Sequence, residues 1–252
     1  MRKIIASDYD GTLRRPNKGI IDKDRDAIKE WRKSGNLFGV VTGRGSGFER
    51  ELENENVEYD FIIDFNGTEI WNNKSELLKR TIGRGDKLFE MLEILLCKEG
   101  DWADIITTER SYYVTYKDKE IEVRDTWVKN IEIKKVKDFL QIYALRTTDS
   151  DSLETAKQIN EQFGDYASAL VNGNWLNIAP EGVTKATGIA DYATIMGVKE
   201  ENIYSIGDSY NDLDMLKAFK GYSVMNGSDE VKKFATGICD GIWALTKIAG
   251  IK

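Results

Sequence analysis

The fold class this sequence predicts is α/β: a parallel-sheet domain interrupted by an inserted α+β module. Three observations predict it. Short apolar runs alternate with helix-patterned stretches at both ends of the chain. β-rich segments and hairpin signals crowd the middle. Two of the terminal apolar runs, KIIAS and NIYSIG, each lead straight into acidic residues at a turn.

The elements follow in order. Lys3–Ser7 reads as a buried strand, and Asp22–Ser34 as a helix with Ala27, Ile28 and Trp31 at helical spacing and Gly35 as a stop. NLFGVVTG is a second buried strand, Phe48–Asn56 a polar helix and YDFIID a third strand. Asn66-Gly67 is a hairpin signal, with EIW as the return strand. From about Arg80 the texture changes. Lys87–Lys98 is an amphipathic helix, ADIITTE and SYYVTYK are β-rich, and the charged run KDKEIEVRD reads as a solvated face. FLQIYALR is a further strand, Leu153–Phe163 a helix, and ASALVNG with NWLNIA a hairpin around Asn172-Gly173. From Gly182 the α/β rhythm returns. A helix spans Lys185–Met196, NIYSIG and GYSVM are strands, a helix lies near Leu213–Phe219, and short helices follow Asp229 and Gly241. The module boundaries fall near residues 80 and 181.

Composition narrows the function. With 252 residues, 41% hydrophobic and 31% charged, the chain suits an ordinary globular protein. A net charge of −7 argues against nucleic-acid binding. No apolar run reaches the ~18 residues of a membrane span, and the N-terminus lacks the apolar stretch of a signal peptide. Two cysteines, Cys97 and Cys239, make no disulfide framework and read as buried packing residues, so a cytoplasmic home is expected. The absence of histidine excludes Ser-His-Asp and Cys-His catalysis and histidine-ligated zinc. Catalysis here runs on carboxylates, lysine, hydroxyls or thiols.

The acidic turns carry the chemistry. Asp8 and Asp10 stand two apart after a strand, and side chains share a face if the extended geometry persists. One carboxylate can attack phosphorus while its neighbour moves protons. Gly11 permits a sharp turn and Thr12 offers a hydroxyl to phosphate. The plainer alternative is a DxDG turn that closes a strand. Asp208 and Asp212 follow a second buried strand, and two acidic clusters at strand ends repel unless a cation lies between them. Mg²⁺ suits such oxygen ligands; the alternative makes Asp208 a turn residue and Asp212 or Asn211 a helix cap. Thr42, Gly43 and Arg44 end the second strand with a hydroxyl and a free N–H, a natural phosphate cradle. Lys185 opens a helix, where a positive charge opposes the helix dipole. A partner such as phosphate or the Asp8 carboxylate accounts for it better than solvent does.

In this order, DYDGTL, VVTGR, GVTKATGI and GDSYNDLDM resemble the four motifs of the haloacid dehalogenase (HAD) superfamily of phosphatases. FNGTEIW and the position of the insert between Thr42 and Lys185 resemble its Cof-type branch, with a C2-type cap. The resemblance implies a Rossmann-like core at residues 1–80 and 181–252 and an inserted α+β cap at 81–180. It implies that Asp8 is the nucleophile and Asp10 the general acid and base, with its backbone carbonyl on Mg²⁺. Thr42 and Lys185 anchor phosphate and charge, with Thr12, Gly43, Arg44 and Asn211 on the substrate side. Asp208 is a metal ligand beside Asp8 and Asp10, and Asn211 and Asp212 order the site, where either can touch the metal or the substrate and Asp212 is counted with the metal ligands. Tyr9 and Ala186 depart from the family's usual residues, and Ala186 stands where glycine would pack the helix start closely. The implied activity is a Mg²⁺-dependent phosphatase for a small phosphorylated metabolite, a sugar phosphate above all. A phosphosugar mutase using the same aspartyl-phosphate and a non-catalytic binder are the alternatives.

Overall fold

A computed structural model describes residues 1–45, 47–118, 120–124 and 133–250. By contacts the chain divides into two compact units, Met1–Arg80 with Thr184–Lys252, and Thr81–Val183.

The first unit opens with β1 (Ile4–Ser7), α1 (Asp22–Lys33), β2 (Leu37–Val41), α2 (Glu49–Asn54), β3 (Phe61–Asp64), β4 (Glu69–Asn72) and β5 (Leu77–Arg80). Helix α1 carries Asp22 and Asp24 in its first turn and Arg32 and Lys33 in its last, charges that suit the helix dipole. Its Trp31 is buried and donates from Nε1 to the Leu37 carbonyl at 2.8 Å, which ties the helix to the start of β2. β1, β2 and β3 are buried at every position, as strands covered on both faces must be.

The second unit contains β6 (Gly83–Arg84), α3 (Leu88–Leu95), β7 (Trp102–Ile106), β8 (Ser111–Lys117), β9 (Glu120–Arg124), β10 (Asp138–Phe139), β11 (Gln141–Leu145), α4 (Asp149–Phe163), β12 (Ala167–Asn172) and β13 (Trp175–Pro180). Its main sheet is antiparallel, in the order β12-β13-β11-β7-β8-β9. Burial alternates along β7, so one face is covered. Leu88, Met91, Leu92 and Leu95 of α3 and Ala156 and Ile159 of α4 share a core with Ala103, Ile105, Val114, Ile142 and Ile178 of that face.

The first unit resumes with α5 (Lys185–Ile195), β14 (Ile203–Gly207), α6 (Leu213–Ala218), β15 (Lys220–Val224), α7 (Asp229–Phe234), β16 (Gly237–Cys239) and α8 (Ile242–Ile248). Its sheet runs β16-β15-β14-β1-β2-β3-β4-β5. Pairing is parallel from β16 to β3 and antiparallel for β3-β4-β5. One face packs Ile5, Val40 and Ile206 with Ile28, Trp31 and Leu245; the other packs Ala6, Val41 and Ile63 with Ile189, Tyr192 and Met215. β1 and β14 are neighbours, so the two acidic turns emerge side by side at the carboxyl ends of the strands, where open α/β sheets bind ligands.

Some expectations need correction. β5, β9 and β16 were not expected as strands; β5 is largely exposed and carries charge, so it lacks the apolar signal. FLQIYALR is two strands, β10 and β11. α4 starts four residues early, because Thr148 caps it by accepting from Asp151 N at 3.1 Å. The hairpin at Asn66-Gly67 forms as expected, with β3 and β4 antiparallel across the 3₁₀ turn Phe65–Gly67. Of the charged run, Glu120–Arg124 forms β9, whereas Lys119 and Asp125 lie outside the described residues. Cys239 is buried as expected, but Cys97 is exposed. No helix among the described residues is long and apolar enough to cross a membrane.

Candidate active site

β1 stops at Ser7, and Asp8 N still bonds to the Ile206 carbonyl at 3.0 Å before the chain turns. The extended geometry does not persist to Asp10. Asp8 is buried and Asp10 is exposed, so their carboxylates part company. Gly11 takes φ +88°, and a Cβ there would lie 2.5 Å from Asp208 Oδ2. Only glycine allows that backbone beside that carboxylate.

Lys185 joins the two acidic turns. It is the first residue of α5, fully buried, and donates from Nζ to Asp8 Oδ1 at 2.6 Å and Asp212 Oδ1 at 2.7 Å. The helix start around it is fixed by a capping box between Thr184 and Thr187. Two carboxylates thus compensate the charge the helix dipole disfavours. Close packing here comes from Gly188, not from position 186: a Cβ at Gly188 would come within 2.8 Å of Ile63 Cγ2. The other Asp212 oxygen accepts from the backbone N–H groups of Asp208 (2.9 Å) and Ser209 (3.0 Å). Asp212 is therefore both the cap of its turn and a member of the cluster. Thr12 Oγ1 donates to Asp208 Oδ1 at 2.6 Å.

Asp8, Asp208 and Asp212 each offer an oxygen within 4.8 Å of the others. Three carboxylates share one ammonium. Burial raises the Asp8 carboxyl well above its ordinary range against the pull of Lys185. Burial and then Asp212 push Asp208 up to about 6. Burial alone would lower Lys185, but Asp212 and Asp8 outweigh it and hold the ammonium protonated. A surplus of hard, negative oxygen ligands suits a divalent cation.

The other expected residues lie around this cluster. Asp10 receives a bidentate pair from Arg44, Nε to Oδ2 and Nη2 to Oδ1, both 2.7 Å. Arg44 Nη1 also donates to Glu51 Oε2 of α2 at 2.6 Å. Thr42 is buried at the end of β2, and its Oγ1 accepts from Arg44 N at 3.1 Å, which leaves the hydroxyl proton available. Asn211 Nδ2 donates to Asn66 Oδ1 at 3.2 Å, and Asn66 N donates to the Thr42 carbonyl at 2.9 Å. Gly43 sits beside the same side chain; a Cβ there would lie 3.1 Å from Asn66 Nδ2. Asn66 and Glu51 were not singled out from the sequence. Asn66 is fully buried at φ 55°, and its Asn-Gly signal reads as an ordinary turn.

Comparison with known proteins gives the family and the fold. A family model described as haloacid dehalogenase-like hydrolase matches residues 5–241. The 5-amino-6-(5-phospho-D-ribitylamino)uracil phosphatase YcsE of Bacillus subtilis is 28% identical over 245 residues, covering 94% of this chain and 90% of that protein. Two solved structures share the fold at a TM-score of 0.76. The HAD phosphatase BT1666 from Bacteroides thetaiotaomicron is 22% identical, with 98% and 94% of the two chains covered. The HAD subclass IIB sugar phosphatase BT4131 is 19% identical, with 99% and 100% covered. The chain belongs to the haloacid dehalogenase-like hydrolase family, in its Cof-type branch, with a Rossmann-like core and an inserted α+β cap.

Proposed function

We propose that this protein is a Mg²⁺-dependent phosphatase of a small phosphorylated metabolite, a sugar phosphate or sugar-alcohol phosphate, acting through an aspartyl-phosphate on Asp8. The observation that carries the reading is the buried Asp8–Lys185–Asp212 chain with Asp208 beside it. The sugar phosphatase BT4131 and the phosphoribitylaminouracil phosphatase YcsE support the substrate class.

Asp8 and Asp208, with the backbone carbonyl of Asp10, would hold the cation. Asp212 already accepts three hydrogen bonds and orders the turn. Mg²⁺, when bound, neutralises phosphate oxygens so that an anionic nucleophile can approach. Lys185 holds Asp8 Oδ1, which leaves Oδ2 to attack phosphorus. The bond from phosphorus to the leaving oxygen breaks as Asp10 gives that oxygen a proton. Asp10 then takes a proton from water, whose oxygen attacks phosphorus; the Asp8–phosphorus link breaks and inorganic phosphate leaves. Thr42 and Asn211 hold the phosphoryl group in line. Arg44 orients the Asp10 carboxyl by its bidentate pair.

Phosphate release from a panel of hexose, pentose and ribitylamino phosphates, with and without Mg²⁺, tests the reading. Mg²⁺-dependent release from at least one member, lost in Asp8→Asn, is the expected result. Isomer interconversion without net release would replace hydrolysis by mutase chemistry.

A further inference from the structure

The turn Phe65–Gly67 between β3 and β4 holds a backbone that its residues do not favour equally. Phe65 takes φ 49°, Asn66 φ 55° and Gly67 φ 120°, so positive φ runs through all of it. Asparagine tolerates the left-handed region, whereas a bulky phenylalanine there is an outlier. Such strain persists only where the surroundings hold it, and it clusters at functional sites. All three residues are buried, so what holds the turn is the set of segments packed on it.

Those segments carry the chemistry. Phe65 N donates to the Arg44 carbonyl and Asn66 N to the Thr42 carbonyl, both at 2.9 Å. The side chains close on the same loop: a Cβ at Gly43 would meet the Asn66 carboxamide, and one at Gly45 would run into the Phe65 ring. Gly67 meets the helix that Lys185 opens, since a Cβ at Gly188 would lie 3.0 Å from Gly67 Cα. Asn66 Oδ1 accepts from Asn211 Nδ2 at 3.2 Å, across 145 residues of sequence. That bond fixes which way the Asn211 amide faces and leaves its second N–H for another acceptor. Asn66 therefore touches both groups that hold the phosphoryl group in the phosphatase reading, the Thr42 loop and Asn211.

We infer that Asn66 is a positioning residue for phosphoryl transfer, whose carboxamide sets Asn211 and the Thr42–Arg44 loop in register with each other. The inference rests on the phosphatase reading. Asn66→Gly tests it, because glycine keeps the left-handed backbone and the N–H to Thr42 and removes only the carboxamide. On a substrate found by the phosphate-release panel, kcat should fall about tenfold with little change in KM, the worth of one hydrogen bond realised in the transition state. The Ki of orthovanadate, a mimic of five-coordinate phosphorus, should rise by about the same factor. A merely structural role would lower the active fraction, which changes kcat and not Ki. Asn56→Gly is the control: Asn56 is also left-handed, at φ 54°, but exposed just past α2. The same exchange there should leave kcat and Ki unchanged. Should Asn66→Gly not fold, Asn66→Ser shortens the same reach and carries the test. Wild-type kcat and Ki in the Asn66 variant, a fall in kcat with Ki unchanged, or equal effects at Asn66 and Asn56 would overturn the inference and leave the phosphatase reading standing. Absence of phosphate release from wild type would overturn both, before any variant is compared.

Discussion

Lys185 and Asp8 lie 177 residues apart in the chain and 2.6 Å apart in the fold, with the lysine fully buried at the start of α5. Breaking a buried pair by removing one partner leaves an uncompensated charge. Lys185→Met leaves Asp8, Asp208 and Asp212 to repel one another. The variant should lose activity and about 3 kcal/mol of stability. The loss should be larger at pH 8 than at pH 5, because the orphaned carboxyls can protonate at the lower pH. Urea denaturation at the two pH values checks this.

Gly11→Ala tests how closely the two acidic turns meet. The new Cβ would fall 2.5 Å from Asp208 Oδ2, on a backbone with φ +88°. The variant should need at least several-fold more Mg²⁺ for half-maximal activity. Gly35→Ala is the control: φ is +80°, but nothing lies within 4 Å of the new atom. It should cost about 1 kcal/mol through backbone strain and leave the Mg²⁺ response alone. An equal Mg²⁺ response in the two variants would contradict the geometry.

Glu51 reaches Asp10 only through Arg44. Glu51→Gln should lower kcat roughly tenfold, the worth of one charge-assisted hydrogen bond, with little change in KM. Arg44→Lys should fall further, because an ammonium cannot reproduce the bidentate fork. Steady-state kinetics on the best substrate separates the two parameters. A change confined to KM would assign Arg44 to ground-state binding instead.

Asp64 gives the stability a pH dependence of definite sign. Burial raises its native pKa well above the ordinary 3.8. The native state then holds a proton that the unfolded chain has released. Stability therefore falls as pH rises above 3.8, until the native carboxyl ionises as well. Asp64→Asn should flatten that part of the curve. Denaturation midpoints across the range, compared with wild type, check it.

The cysteines should react unequally. Cys97 is exposed, whereas Cys239 is buried and its thiol is pushed up to about 11 by that burial. A thiol reagent at pH 8 should label Cys97 rapidly in the native protein and Cys239 only after denaturation. Rapid labelling of both would contradict the packing around β16.

The sequence was most legible where burial was complete. β1, β2, β3 and β14 are continuous apolar runs because both faces of the sheet are covered. β5 at the sheet edge, with the sequence LLKR, carries no such signal. Asp8, Asp208 and Lys185 could be read from their places at strand ends and a helix start. Asp10 could be named but not placed, since its direction depends on a turn that begins right after Ser7 and on Arg44 in another loop. Asn66 was hidden by its own turn chemistry: Asn-Gly signals a hairpin whether or not the side chain goes on to meet Asn211.

The central claim is that phosphoryl transfer passes through Asp8. Rapid acid quenching of wild type during turnover, followed by mass spectrometry of the peptide that contains Ile4–Arg14, tests it directly. The account predicts a phosphoryl group on Asp8 that forms before phosphate is released and is absent in Asp8→Asn. Steady phosphate release with no label on Asp8, or an Asp8→Asn variant as active as wild type, would contradict it.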